Sequence, residues 1–313
     1  MINFRYHVVS LTAVFLALAI GLVVGTTALN GPAAEELGDQ VTKISNQSER
    51  YREEIEQYQE QAQRQEQFVT DSTAHMLGAK LSGRRVLIVT TSDADKKYVD
   101  GMLQTLTVGG VKVTGRVSIG SKFTEPASNE SLLGIADSAL PLGVTGLPTN
   151  SVGPETAAAL LAAVLVDRQN PVSADDRRKV VAAFKDYLVV TPDLNSSAEA
   201  VLLLAGAPYD DRDATKMNAA LVRLVEQFDK AGALVVAGNG VGGSGNLIGA
   251  VRGDPALAGK VSTVDNVATP QGRVVAALAL IDQLAGKPGG HYGTGPGATD
   301  LLPKAPVDRE RNG

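Results

Sequence analysis

The sequence contains no cysteine and no tryptophan, and aromatic residues make up only 4% of it. Without cysteine there is no disulfide framework, no Cys-ligated zinc or iron–sulfur centre and no thiol nucleophile. With so few aromatics, platforms for stacking bases or sugars are poorly supplied. Three histidines and four methionines leave imidazole and thioether ligands scarce. An excess of positive charge is missing too. The formal net charge is −5, which argues against nonspecific nucleic-acid binding, because that needs a basic footprint.

What is present is sharply segmented. The 313 residues are 44% hydrophobic and 20% charged, enough for one large domain or two smaller ones with a substantial core. Four regions are expected: a membrane anchor over 1–30, a coiled coil over 31–80, an α/β globular domain over 81–286 and a flexible tail over 287–313. The fold class is therefore α/β, with an N-terminal transmembrane helix, a coiled-coil stalk and a Rossmann-like domain with a mostly parallel sheet.

Val8 to Leu29 carries no charge. At helical rise it spans about 33 Å, the thickness of a bilayer's hydrocarbon core. Arg5 precedes it, and Glu35, Glu36 and Asp39 follow. The positive flank places the N-terminus in the cytoplasm and the bulk of the chain outside, in the periplasm or cell envelope. A cleaved signal is the competing reading, with Thr26 and Ala28 as small residues before a cut, but signal cores are usually shorter. Ala13, Ala17, Gly21 and Gly25 recur every fourth residue, a ridge of small side chains that suits close helix pairing in lipid. The plainer reading is that Ala and Gly are common in membrane spans.

Gly31-Pro32 interrupts the apolar run, and Pro is tolerated in a first helical turn. From there Val41, Ile44, Tyr51, Ile55, Tyr58, Ala62, Val69 and Met76 fall at the core positions of a heptad repeat held over about five heptads. Neither Gly nor Pro occurs between Asp39 and Leu77. A helix this polar needs a partner, so a parallel homodimer or higher homo-oligomer is expected. Ser48, Gln65 and Ser72 also fall at core positions and weaken the seam. Two readings fit: a self-paired stalk, or a docking surface for another envelope protein.

Beyond residue 84, short apolar runs alternate with helical patterns. Strands are expected at 86–90, 111–117, 201–205, 234–237 and 261–264. Helices are expected at 95–106, 129–138, 155–166, 174–188, 213–230 and 273–284. That alternation implies a parallel sheet covered on both faces. Asp93 and Asp95 follow the first strand, where α/β folds place ligand groups, although acids in a polar turn are more often simply solvated. Gly238, Gly240 and Gly243 belong to a G-x-G-x-x-G spacing after a later strand, with Asp265 at the end of the next. A short following segment and the late position in the chain speak against a dinucleotide fingerprint; the plainer reading is a flexible loop. These two loops are the candidate ligand loops of an exported α/β domain.

No catalytic residue, cofactor-binding residue or metal ligand is assigned. His7 lies at the membrane, His75 in the stalk and His291 in the Gly-rich tail, so a Ser–His pair cannot be assembled in the expected core. His75-Met76 is the one close imidazole–thioether pair, and Met76 reads as seam packing.

The start Met1-Ile-Asn-Phe-Arg-Tyr-His-Val-Val-Ser-Leu-Thr-Ala-Val-Phe-Leu-Ala-Leu-Ala-Ile-Gly, the Glu/Gln-rich coil and the segment Thr269-Pro-Gln-Gly-Arg-Val resemble the mycobacterial copper transport protein B (MctB) family, called SteB in corynebacteria. The resemblance covers essentially the whole length. It implies copper ion as cargo, copper efflux and resistance, and an assignment to the outer membrane. For corynebacterial members it implies a septal role with a SteA-like membrane partner and RipA-like cell-wall hydrolases. A pore must be a helix bundle or closed barrel, so it would need many copies of the one apolar helix, which has no polar stripe to line a channel.

Overall fold

The computed structural model describes residues 4–29, 31–167, 172–191, 194, 196–210, 212–242 and 245–304. The chain divides into two units, residues 1–65 and 66–313.

The first unit is helical. Among the described residues, α1 (Phe4–Leu29) contains the one stretch, Phe4–Thr27, long and apolar enough to cross a membrane, and none of it is buried. Its threonines are satisfied locally: the hydroxyls of Thr12, Thr26 and Thr27 donate to the carbonyls of Val8, Leu22 and Val23 at 2.8–3.0 Å. In hydrocarbon, where no water can serve them, that internal satisfaction is required. α2 (Pro32–Leu77) begins with Pro in its first turn and Glu35 near its positive end, both favourable there.

The second unit is α/β. In chain order it comprises the end of α2, β1 (Arg85–Thr91), α3 (Lys96–Val108), β2 (Lys112–Ile119), α4 (Ser121–Thr124), α5 (Asn129–Ser138), α6 (Gly153–Leu165), α7 (Ala174–Ala183), β3 (Leu188–Val190), β4 (Ala200–Leu204), α8 (Ala214–Ala231), β5 (Ala233–Ala237), α9 (Leu247–Gly253), β6 (Ser262–Val264), α10 (Pro270–Leu284) and β7 (His291–Tyr292). The sheet order is β3-β2-β1-β4-β5-β6-β7, and every pairing is parallel except β2 with β3. The expected α/β class with a mostly parallel sheet is what the chain adopts.

The central strands are apolar on both sides because both faces are covered. On one face Leu87, Val89, Val201, Leu203, Leu234 and Val236 pack under α6, α8 and α9. On the other, Val86, Ile88, Leu202, Leu204 and Val235 pack under α3 and α10. Connection hand follows from these faces. β1–α3–β2 runs toward one edge over the α3/α10 face, and β4–α8–β5 runs the other way over the opposite face, so the two share a hand. β6–α10–β7 runs the second way over the first face, so its hand is opposite to that of both. Such connections are rare among parallel strands.

Three expectations differ from the structure. The helix expected over 174–188 ends at Ala183. A turn at Phe184–Tyr187 then leads into β3, because Leu188-Val-Val pairs with β2 instead of continuing the helix. The closing helix starts earlier, at Pro270, with Thr269 accepting from the Gly272 amide at 3.1 Å as its N-cap. Residues 287–304, expected as the start of a flexible tail, fold back on the sheet. β7 pairs with β6, and the amides of Gly293 and Thr299 donate to the carbonyls of Asp300 and His291. The remainder of that expected tail, 305–313, lies outside the described residues.

Candidate functional site

A parallel sheet whose strand order reverses leaves a crevice at the carboxyl ends of the diverging strands. Here the reversal lies between β1 and β4. A crevice of about 490 Å³ opens there, lined by Asp93, Asp95, Lys97 and Tyr98 after β1, Gly206 to Pro208 after β4 and Asn239 after β5. The two candidate ligand loops are thus neighbours in space, since Asn239 lies between Gly238 and Gly240.

The chemistry of this crevice is set by backbone contacts. Gly206 donates to Thr91 Oγ1 at 2.7 Å, and a Cβ at Gly206 would lie 2.3 Å from the backbone carbon of Asp93. Only glycine lets the two loops close on each other there. Tyr98 donates its hydroxyl to the Ala205 carbonyl at 2.9 Å. Burial, with the charges of Asp95 and Asp93 adding to it, raises the phenol above its ordinary pKa. Asp95 Oδ1 accepts from the Lys97 amide at 2.7 Å, capping α3. The helix N-terminus that would cradle a phosphate therefore already holds a carboxylate, with Asp93 beside it.

The glycine loop is turned inward. The Gly238 amide donates to the Val264 carbonyl at 2.9 Å, and the Gly240 amide to the Asp265 carbonyl at 2.7 Å. Gly240 takes φ +72°, a backbone region that favours glycine. Gly243 lies outside the described residues. Asn246 caps α9 through the Gly249 amide at 2.9 Å. Asp265, which a dinucleotide reading would give to a ribose, is 1% exposed and paired with Arg252 at 2.9 Å. It also accepts from the amides of Thr294 and Gly295 at 2.9 and 3.0 Å. The loop's amides and its acid thus serve the fold.

The first unit offers a different kind of surface. Along α2, Val41, Ile44, Tyr51, Ile55 and Tyr58 are 54–67% exposed, and Ala62 is exposed as well. On α1, Ala13, Ala17, Gly21 and Gly25 share a face, and a Cβ at Gly21 or Gly25 would meet nothing within 4 Å. The heptad stripe changes role in the second unit. Val69 and Met76 pack against the core beneath α3 and α10, and Leu77 and Leu81 are fully covered there. Those last two candidate seam positions are used within the chain.

Residues 1–303 match the family described as "Copper transport outer membrane protein, MctB". The chain belongs to the MctB family. Its relatives include proteins named copper transporter MctB. That of Mycobacterium leprae (strain TN) is 30% identical, over 96% of this chain and 99% of that protein. That of Mycobacterium tuberculosis (strain ATCC 25618 / H37Rv) is 28% identical over the same shares.

In this MctB-family chain the groups with copper-ligand chemistry lie apart. Among the described residues no three His, Asp or Glu side chains are grouped to hold a metal ion. His75 is exposed, whereas its neighbour Met76 packs inward, as adjacent helical residues do. Met102 is fully buried under the sheet, and Met217 is 7% exposed on α8. His291 sits in β7, bonded through Nδ1 to Thr263 Oγ1 at 2.9 Å.

Sequence reasoning missed two sites. One is the buried Arg252–Asp265 pair. Its signal was a lone arginine ending the apolar run Leu247-Ile-Gly-Ala-Val251. The other is Arg273, of the Thr269–Val274 segment, against Gly101 of α3. A Cβ there would lie 3.0 Å from the guanidinium carbon. Arg273 donates to the Ala268 carbonyl at 2.8 Å, and burial lowers its pKa against the opposing pull of Glu66.

Proposed function

We propose that the chain is a membrane-anchored, non-catalytic protein of the cell envelope that takes part in copper transport as a parallel pair of chains joined along α2. The observation that carries this reading is the uncovered apolar stripe of α2, following a helix of membrane length. The copper role rests on the name of the family and of its relatives. Arg5 before α1 favours a cytoplasmic N-terminus, with the α/β unit outside.

Physical chemistry favours a supporting role over a pore. α1 has no charged stripe, and the strands run two to eight residues in a sheet covered on both faces. In a parallel pair, Gln47 faces Arg52 and Glu54 faces Gln59 across the flanks of the seam, so no like charges meet. The small ridge of α1 would extend the pairing into lipid.

The absence of native cysteine makes the test direct. Ile55→Cys in the full chain, oxidised in membranes, is expected to yield a disulfide-linked dimer, while Glu53→Cys on the outer face yields none. Equal crosslinking of both, or of neither, overturns the pairing. A deletion strain is expected to lose copper tolerance, with Ile55→Asp failing to restore it. A strain indifferent to copper removes the transport role.

A second reading is favoured by the polar seam positions Ser48 and Gln65. They weaken self-pairing and allow exchange with the coiled coil of a SteA-like or RipA-like envelope partner. Under it, a pull-down with residues 33–78 recovers such a partner, and Ile55→Asp abolishes the capture. The crevice at Asp93 and Asp95 supports a third role, as a ligand-binding α/β domain. Calorimetry with nucleotides and sugars tests it, and absence of heat retires it.

A further inference from the structure

We propose that residues 287–300 are a pH-sensitive strap across the β6 edge of the sheet, held shut by neutral His291 and released in mild acid. β7 is two residues long, and only its Tyr292 is buried in the core beneath α3 and α10. Polar side chains add to the fastening on either side of it. Arg252 donates from its guanidinium to the carbonyls of Tyr292 and Pro296, each at 2.9 Å, and from Nε to Thr263 Oγ1 at 2.9 Å. Asp265 takes the strap amides of Thr294 and Gly295.

His291 completes this network. In the assigned tautomer the ring proton is on Nε2, and the Thr263 hydroxyl accepts from Arg252 and donates to His291 Nδ1, 2.9 Å away. A protonated ring would bring a second donor to that hydroxyl and a second cation beside Arg252. The charged groups around the ring are Arg252 from α9 and Asp265 after β6, whose carboxylate is taken up by Arg252 and the two amides. Asp282 is paired with Lys287 after α10, and Asp300 with Lys304 after the strap. Among the described residues, the charge felt most strongly by the ring is thus the Arg252 guanidinium, which opposes an imidazolium.

Burial, and then Arg252, lowers the His291 pKa below its ordinary 6.5. A group depressed in the folded state contributes stability that is full above its unfolded pKa and is lost as pH falls through the folded one. The closed strap is therefore stable at neutral pH and opens on acidification, baring the outer edge of β6 for pairing with another strand.

Amide hydrogen exchange on the full chain in detergent tests this. After correction for intrinsic rates, the Thr263 and Asp265 amides, which donate to the Gly290 and Tyr292 carbonyls, are expected to lose about tenfold in protection between about pH 7.5 and about pH 5.5. The Leu203 amide in β4 should hold its protection. His291→Gln should remove the acid step, and Thr263→Val should lower protection at both pH values. No step in the unaltered chain, or an equal step in His291→Gln, overturns the strap.

Discussion

Leu224 in α8 and Ile55 in α2 are both large aliphatic residues on amphipathic helices, yet one is fully covered and the other 54% exposed. The same contrast separates the two units. From residue 66 onward, apolar side chains are mostly covered by the chain's own sheet and helices. Before it, Leu, Val, Ile and Tyr stand bare along both helices. The apolar periodicity of a helix fixes which residues share a face but does not say what covers that face. In the second unit the chain supplies the cover. In the first, lipid and a second chain are the proposed covers.

The contrast can be broken by substitution. The largest loss is expected from Arg252→Ala, which strands the Asp265 carboxylate without its cation. About 3–5 kcal/mol should vanish in chemical denaturation. Leu224→Ala opens a cavity beneath the sheet and should cost about 2–5 kcal/mol by the same measurement. Asp95→Ala removes the α3 cap and should cost about 1 kcal/mol. Ile55→Asp should shift the stability of the α/β unit by no more than about 0.5 kcal/mol while abolishing the dimer in sedimentation. A fall comparable to that of Leu224→Ala would mean that α2 is covered within its own chain, and the contrast would be lost.

Much of this architecture is legible in the residues. Long periodic segments such as α2 and α8, and apolar runs such as Val86–Thr90 and Val201–Leu204, carry enough repeats to declare their type. β3 and β7 do not: two or three residues hold no period, and their pairing comes from tertiary contacts. Gly and Pro dominate the strap's composition and suggest a tail, whereas its order comes from Arg252, Asp265 and β6, all distant in sequence. At the crevice, Asp93 and Asp95 were picked out by their place after a strand. The approach of Gly206 was not, because a close backbone contact between separate loops leaves no local signature.

The last turns of α2 set where a soluble fragment can begin. A cut at Arg84, just ahead of the sheet, would remove Leu77 and Leu81, whose methyl groups lie 3.5 Å from a Cβ placed at Gly109. Both belong to the core cluster that holds Met102 and Leu106. Such a fragment should express poorly and clump. One beginning near Glu66 keeps the underside sealed and should stay in solution.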